Sequence, residues 1–203
     1  MTRFLLAAAL ALAATGTAAA ATYKIDPRHT QVFFTYGHNE YSHLSGRLNE
    51  ANGTLEFDPA KPAASSISLE LPLSSLSTGV PGLDDHMRSA DFFDAEKFPT
   101  ASFKSTKVTV RDATHFDLAG DLTIKGTTRP AVFAVTVNHT GENERRKTPM
   151  AGFDAVATIK RSEFGVDHML AVTGDEIQLR VSMEASVPKD EPAPGATAPA
   201  GKP

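Results

Sequence analysis

Apolar and polar residues alternate with a period of two along most of this chain. The clearest run is residues 177–187, in which every second residue is apolar and the residues between them are mostly polar. Such alternation is typical of an antiparallel strand with one face against a core and the other in water. This run is therefore predicted to be a β-strand with one wet face.

The same alternation, or a dense run of β-branched and aromatic residues, predicts strands throughout the chain. They cover residues 22–26, 31–38, 46–58, 66–76, 101–111, 116–124, 130–137, 153–160 and 177–187. Short turns join most of them, and the chain has no long helical period or internal repeat. The fold class is therefore all-β. About eight antiparallel strands favour a closed barrel that holds side chains or one small ligand, with a sandwich as the alternative.

Three positions predict irregularities in these strands. Asn52-Gly53 is a hairpin signal, but too few residues precede it for a full strand. A glycine-centred bulge or bend inside one long strand is the alternative, and the bulge is favoured. Pro72 is expected to move the end of its strand to an edge or a bulge. The apolar positions change parity between Phe103 and Val108, which indicates a register change.

The central stretch, residues 83–106, is the one place where charge, histidine, paired aromatics and proline crowd together. It predicts one short helical segment near residues 84–98, which Asp84 would cap and Pro99 would stop. Phe92, Phe93 and Phe98 would then pack this segment over one end of the barrel. We interpret the stretch as a structural lid.

The two ends of the chain differ from the part between them. Residues 1–21 have a single basic residue, a short apolar run and small residues, the pattern of a cleaved secretory signal peptide. The apolar run is too short to span a membrane. Residues 188–203 are rich in Pro, Ala, Gly and charge and are predicted to be disordered. The domain is thus residues 22–187, and the expected location is the periplasm.

Composition argues against several functions. The formal net charge is −4 with both signs interspersed, so nucleic acid is not an expected partner. The chain has no cysteine, and no histidine pair has the spacing typical of zinc ligands, so no metal site is predicted. Serines are frequent, but none lies in a G-x-S-x-G elbow. No catalytic residue and no cofactor are predicted, although a secreted hydrolase and a stress-related interaction module stay as alternatives.

An ordered set of motifs resembles the YceI-like family of exported, lipocalin-like, polyisoprenoid-binding proteins. The matching pieces are Tyr23-Lys24-Ile25-Asp26, His29 with residues 32–38, residues 42–46, residues 53–58, DDHMRSADFFDAEKFPTASFKST (residues 84–106), GDLTIKGTTRP (residues 120–130) and IKRSEFG (residues 159–165). The set spans residues 22–187 in the family's order. The chain departs from the family pattern in its polar turn at residues 37–41, which would reshape one mouth of the barrel, and in its extra tail.

The resemblance implies an extended eight-stranded, lipocalin-like barrel whose apolar lumen holds a long isoprenoid-type lipid, such as a polyprenyl or prenyl-quinone-like chain. Carriage or sequestration of such a lipid is the expected function. The alternation of the strands selects the lumen candidates, which are Phe33, Leu69, Phe116, Leu118, Leu179 and Val181. His86 and Arg88 in the lid are the candidates for contacting a polar head group. A homodimer is left open.

Overall fold

A computed structural model describes residues 20–189, which form one antiparallel β-sheet curled into a barrel. The predicted signal peptide, apart from its last two residues, and the tail beyond residue 189 lie outside the described residues. The strands are β1 (Ala21–Ile25), β2 (Gln31–His38), β3 (Ser42–Leu48), β4 (Asn52–Phe57), β5 (Ser66–Pro72), β6 (Leu76–Ser77), β7 (Thr100–Val110), β8 (His115–Ile124), β9 (Thr127–Asn143), β10 (Thr148–Lys160) and β11 (Glu176–Ser186). The helices are α1 (Pro81–Arg88) and α2 (Leu170–Thr173), and short 3-10 turns occupy Pro62–Ala64, Leu73–Ser75 and Arg161–Phe164.

The sheet closes on itself through its first and last strands. Hydrogen-bonded neighbours follow the order β1-β4-β5-β7-β8-β9-β10-β11, and β1 then pairs with β11, with Lys24 opposite Ser186 and Ile25 opposite Ala185. This ring contains eight strands. The predicted eight-stranded antiparallel barrel is confirmed, and the sandwich alternative is wrong.

Three of the barrel strands are interrupted, which explains why eleven segments build eight strands. β1 and β2 follow one another along the barrel, because β1 pairs with one half of β11 and β2 with the other half. β3 and β4 continue one another in the same way, as do β5 and β6. The end of the barrel that contains β2, β3 and β6 is called the upper end below. Among residues 20–189, β6 pairs with β3 on one side and with no strand on the other. The sheet therefore has an edge at the upper end.

Two of the predicted irregularities are confirmed and one is wrong. β5 ends at Pro72, and the pairing of β7 with β8 shifts between Ser105 and Lys107, where the parity change predicts it. Asn52-Gly53 forms neither a hairpin nor a bulge, because β4 pairs with β5 in unbroken register there. Glycine is needed at Gly53 for a different reason: a Cβ would lie 2.0 Å from the carbonyl oxygen of Ser68 on β5.

The break between β1 and β2 is held by the Asp26 carboxylate. It accepts hydrogen bonds from the backbone N–H of Arg28 and from Nδ1 of His29, both at 3.0 Å, and Arg146 lies 3.6 Å away. The bond from His29, with those from Arg28 and the charge of Arg146, holds the pKa of Asp26 below its ordinary value although partial burial opposes the shift. A carboxylate with a lowered pKa stabilises the fold above the unfolded-state pKa, about 3.9, and loses that contribution as the pH falls through the folded-state value.

Asp26→Asn is therefore expected to lower the free energy of unfolding at pH 7 by about 1.5–3 kcal/mol. The difference in unfolding free energy between the variant and wild type should shrink as the pH falls below 4, because protonation then removes the charge of the wild-type carboxyl. Urea unfolding from pH 7 to pH 3 measures this. An equal difference at every pH would mean that Asp26 acts by packing rather than by charge.

The central stretch covers the sheet edge at the upper end, but its helix is shorter and earlier than predicted. α1 begins with Pro81 after a cap at Val80 and ends at Arg88, and residues 89–98 form turns rather than a helix. Asp84 is thus inside the helix and does not cap it. Its carboxylate instead accepts the Thr78 hydroxyl and backbone N–H at 2.6 and 2.5 Å, which hold the pKa of Asp84 below its ordinary value.

The turns after α1 are anchored to the hairpin between β8 and β9. Gly126 has φ +73°, and a Cβ there would lie 2.4 Å from the ring of Phe98. The Lys125 ammonium donates to the carbonyl of Ala90 at 3.0 Å. The Lys125-Gly126 turn therefore also fixes the far end of the lid. Among residues 20–189 no helix is long and apolar enough to span a membrane.

Candidate lipid-binding cavity

The interior of the barrel is an apolar cavity of about 410 Å³, within the range typical of small-molecule sites. All eight barrel strands contribute inward-facing side chains to its wall. Along β11 the lining runs from Ile177 to Met183, which at 3.3 Å per residue corresponds to roughly 20 Å. The cavity is therefore elongated along the strands, as a binding site for a chain-like ligand would be.

Polar side chains are few in this wall. Those that line it are Tyr36, His38, Ser65, Ser66, His86, Arg161 and Thr173. Most of them lie at the upper end, while Ser65 precedes β5 and Ser66 begins it at the lower end. Burial raises the pKa of the Tyr36 phenol, which keeps that group neutral. The middle of the cavity offers a ligand apolar contacts.

Pairs of aromatic rings pack against one another inside the barrel. The ring of Phe57 is 6.1 Å from Tyr23 and 5.2 Å from Phe153, and Phe103 lies 5.0 Å from Phe133, all edge to face. Such pairs contribute about 0.5–1.5 kcal/mol each beyond their buried area. Phe57, Phe103, Phe133 and Phe153 also line the cavity, so these ring pairs stiffen its apolar wall.

Five of the six lumen candidates line the cavity: Leu69, Phe116, Leu118, Leu179 and Val181. Phe33 does not line it, and its placement in the lumen is wrong. Its ring lies on the outer face of β2, where the Arg180 guanidinium stacks on it at 4.8 Å. Both faces of β2 are apolar in sequence, so alternation alone did not select the inward face, which carries Val32, Phe34 and Tyr36. Contact of the five with a ligand stays a prediction.

The lid contributes its apolar side to the cavity. Leu83, Met87, Phe92 and Phe93 line the upper end, and Met87 is buried. The ring of Phe93 packs edge to face against Phe34 of β2 at 6.5 Å. Of the three phenylalanines predicted to close the barrel, two face the cavity, and Phe98 packs on the β8–β9 turn instead.

The two head-group candidates in the lid have different positions. His86 lines the cavity and its side chain is 44% exposed, so it lies where the cavity meets solvent. Arg88 points away from the cavity: its guanidinium donates to the carbonyl of Leu76 at 3.0 Å and pairs with Asp85 at 2.7 Å. The bond to Leu76 fixes α1 to β6, so Arg88 is placed to hold the lid rather than to meet a ligand.

Serine side chains near the lid bond to the backbone. The Ser75 hydroxyl donates to the carbonyl of Pro72 at 2.7 Å, and that of Ser89 donates to the carbonyl of His86 at the same distance. Ser77 accepts the N–H of Gly79 at 3.2 Å. These contacts stabilise turns in the connection between β5 and β7.

A buried arginine that the sequence analysis did not select stands at the upper end. Arg161 is only 7% exposed and lines the cavity. Its guanidinium donates to the carbonyls of Gly174, Val166 and His168 and to the hydroxyl of Thr173, at 2.7–2.9 Å. Burial lowers the pKa of Arg161, and the nearby carboxylates of Asp175 and Asp167 oppose that shift.

Arg161 organises the connection between β10 and β11, which borders the mouth of the cavity. Met169 in this connection lines the cavity and is 43% exposed. Carbonyl groups of an irregular loop need partners when they are buried, and one planar guanidinium with five donors serves several of them together. The sequence signal was present, since Arg161 lies inside the IKRSEFG motif, but one basic residue after a strand does not reveal its burial.

Comparison with known proteins agrees with this architecture. The model of the YceI-like domain matches residues 23–185. A UPF0312 protein of Pseudomonas putida is 38% identical over 185 residues, which cover 88% of this chain and 93% of the relative. The crystal structure of Burkholderia cenocepacia BcnA has a TM-score of 0.72 and 26% identity, over 79% of this chain and 98% of that one. A polyisoprenoid binding domain from Saccharophagus degradans, implicated in plant cell wall breakdown, has a TM-score of 0.63 at 14% identity, over 82% of this chain and 98% of that one.

Proposed function

The chain belongs to the YceI-like domain family, and from that premise we propose that it is an exported protein that binds a long isoprenoid-type lipid in its barrel, to carry or sequester it. The observation that carries this proposal is the wall of the cavity, which is apolar along its length and polar chiefly at the upper end. A ligand that matches such a wall has a long hydrocarbon chain and one polar end.

The energetics suit a carrier. Burying a forty-carbon chain at about 0.8 kcal/mol per CH₂ would exceed about 25 kcal/mol on paper, above the roughly 21 kcal/mol at which non-covalent affinities saturate. Ordering of the chain and incomplete burial consume much of this. Binding can therefore be tight without any directed polar contact, but one methylene more or less changes the affinity by only about 1–3 kcal/mol. We expect a preference for a ligand class rather than for one chain length.

Binding rather than catalysis is supported by how the polar groups are used. The guanidinium of Arg161 is already bonded to three carbonyls and a hydroxyl. The serines of the lid region bond to the backbone. These groups hold the fold, so a ligand meets a mostly apolar wall with few free polar groups, among them the buried Ser65 hydroxyl, which has no hydrogen-bond partner within residues 20–189.

Export is part of the proposal, and the first strand favours one cleavage position. Ala21 is buried and lies opposite Phe57 in the pairing of β1 with β4. Cleavage after Ala20 leaves β1 whole, whereas cleavage after Ala21 removes a buried residue from it. We therefore place the cut after Ala20, which delivers the barrel to the periplasm.

Lipid uptake tests the proposed function. Protein stripped of lipid is incubated with a C40 prenyl quinone and examined by native mass spectrometry. A 1:1 adduct with sub-micromolar affinity is expected, and a straight-chain fatty acid should compete more weakly because it fills less of the wall. Absence of adducts with prenyl quinones, prenols and other long-chain lipids would contradict the proposal.

A further inference from the structure

Two histidines and one aspartate from separate segments meet at the upper rim of the barrel. His86 lies in the last turn of α1, Asp91 in the turns after it, and His168 in the connection between β10 and β11. One ligand atom from each lies within 4.8 Å of the other two. The spacing of histidines in the sequence predicted no metal site, because the fold brings these side chains together from distant segments.

Phe92 supports the two imidazoles from one side. Its ring centroid lies 5.0 Å from His86 and 5.3 Å from His168, and both contacts are edge to face. The imidazoles themselves are 6.1 Å apart. His86 Nε2 is 3.8 Å from Asp91 Oδ2, which is too long for a hydrogen bond. The three donors therefore converge on a common point without bonding to each other.

We propose that His86, Asp91 and His168 bind a divalent transition-metal ion of the zinc class at the mouth of the barrel. Two imidazoles and one carboxylate suit Zn²⁺ and its borderline neighbours, whereas Mg²⁺ and Ca²⁺ prefer oxygen ligands alone. Three protein ligands leave the fourth tetrahedral position to water. This site does not depend on the proposed lipid function.

The donors can reach metal-binding distances by side-chain movement. Tetrahedral zinc bonds nitrogen at 2.0–2.1 Å, which places donor atoms roughly 3.3 Å from one another. The separations are at most 4.8 Å, so the donors need to approach one another by no more than about 1.5 Å. The side chains of His86 and Asp91 are 44% and 59% exposed, so neighbouring atoms leave room for this movement.

A second group of two acidic residues and one histidine differs from this site because its central carboxylate is already paired within the protein. Asp26, His29 and Glu184 also place their ligand atoms within 4.8 Å. There, however, the Asp26 carboxylate accepts a hydrogen bond from His29 and lies 3.6 Å from Arg146, so a protein cation already balances its charge. Within residues 20–189, Asp91 has only His86 as an ionic partner, and the nearby Lys125 ammonium bonds to the carbonyl of Ala90.

An ion bound at this rim would connect two separate segments of the chain. His86 lines the cavity and belongs to the lid, while His168 belongs to the connection that Arg161 organises on the other side of the mouth. An ion shared by both would tie the lid to that connection. Hydrogen exchange of residues 81–98 and 161–175 should then slow when the metal is added.

The test is a titration of tag-free protein, stripped of metal and lipid, with Zn²⁺ alone. One ion per chain is expected, with a Kd below about 100 μM, which is about −5.5 kcal/mol. Co²⁺ should give the visible absorption of a tetrahedral site without thiolate ligands. His168→Gln and Asp91→Asn should each weaken binding at least tenfold, and slower hydrogen exchange should be lost in both.

His139→Gln is the matched control, because His139 is an exposed histidine on β9 away from this rim. It should bind Zn²⁺ as wild type does, and circular dichroism should show all variants folded, since the altered side chains are exposed. No saturable uptake in this range, or equal affinity in His168→Gln and wild type, would overturn the proposal.

Discussion

Replacing Ala155 with tryptophan is expected to reduce the affinity for a C40 prenyl quinone at least a hundredfold, which is about 2.7 kcal/mol. Ala155 lines the cavity on β10. The interior of an eight-stranded barrel is only wide enough for side chains or one slender ligand. An indole that projects from this position would therefore occupy the path of the chain.

Val156→Trp is the matched control, because the neighbouring residue of β10 points outward and is 50% exposed. It should bind the quinone as wild type does. The chain has no natural tryptophan, so each variant also carries a single fluorescent reporter. Emission should be blue-shifted for Ala155→Trp and solvent-like for Val156→Trp. Equal quinone affinity in two folded variants with these emission spectra would show that the lumen is not the binding site.

Arg161→Met is expected to lower the free energy of unfolding by about 3 kcal/mol, since it leaves the buried carbonyl of Val166 and the partly buried carbonyls of His168 and Gly174 without their donor. For a domain of this size that corresponds to a fall in Tm of roughly 6–12 °C. Arg161→Lys should lose less, because it keeps the charge but not the planar set of five donors. Thermal unfolding followed by circular dichroism measures both.

Arg180→Met provides the control for the loss of an arginine. Arg180 stacks on Phe33 on the outer face, and such an exposed contact contributes only about 0.5–1 kcal/mol. Hydrogen exchange should locate the effect of Arg161→Met in residues 161–175. A Tm for Arg161→Met no lower than that for Arg180→Met would contradict the role assigned to the buried guanidinium.

Alternation predicted the barrel because strand faces follow a period of two wherever one face is wet. It placed Leu179 and Val181 on the cavity side of β11, since the polar neighbours Arg180 and Ser182 mark the outward face. It failed at Phe33, because β2 is apolar on both faces and its outer face is covered by Arg180 rather than by water. Where neither face is polar, periodicity cannot tell inside from outside.

The arrangement of side chains at the upper rim could not be predicted from the sequence for a different reason. Its chemistry depends on side chains that are distant along the chain and meet only after the barrel closes. His168 approaches His86 from the connection after β10 that Arg161 holds. Helix α1 begins at Pro81, a residue suited to the first position of a helix, and Asp84 lies inside it, bonded back to Thr78. Spacing rules describe neighbours within one element, so they predicted neither the histidine pair nor the buried arginine.

The most direct test of the proposed lipid carriage is the mass of the protein recovered from cells. The full-length chain is expressed with its own leader in a Gram-negative host, recovered from a periplasmic extract and examined by native mass spectrometry. We predict a chain that lacks residues 1–20 and carries one prenyl lipid, which appears as free quinone or prenol after organic extraction. Repeated recovery of bare protein that also takes up no prenyl lipid when it is supplied would contradict the account.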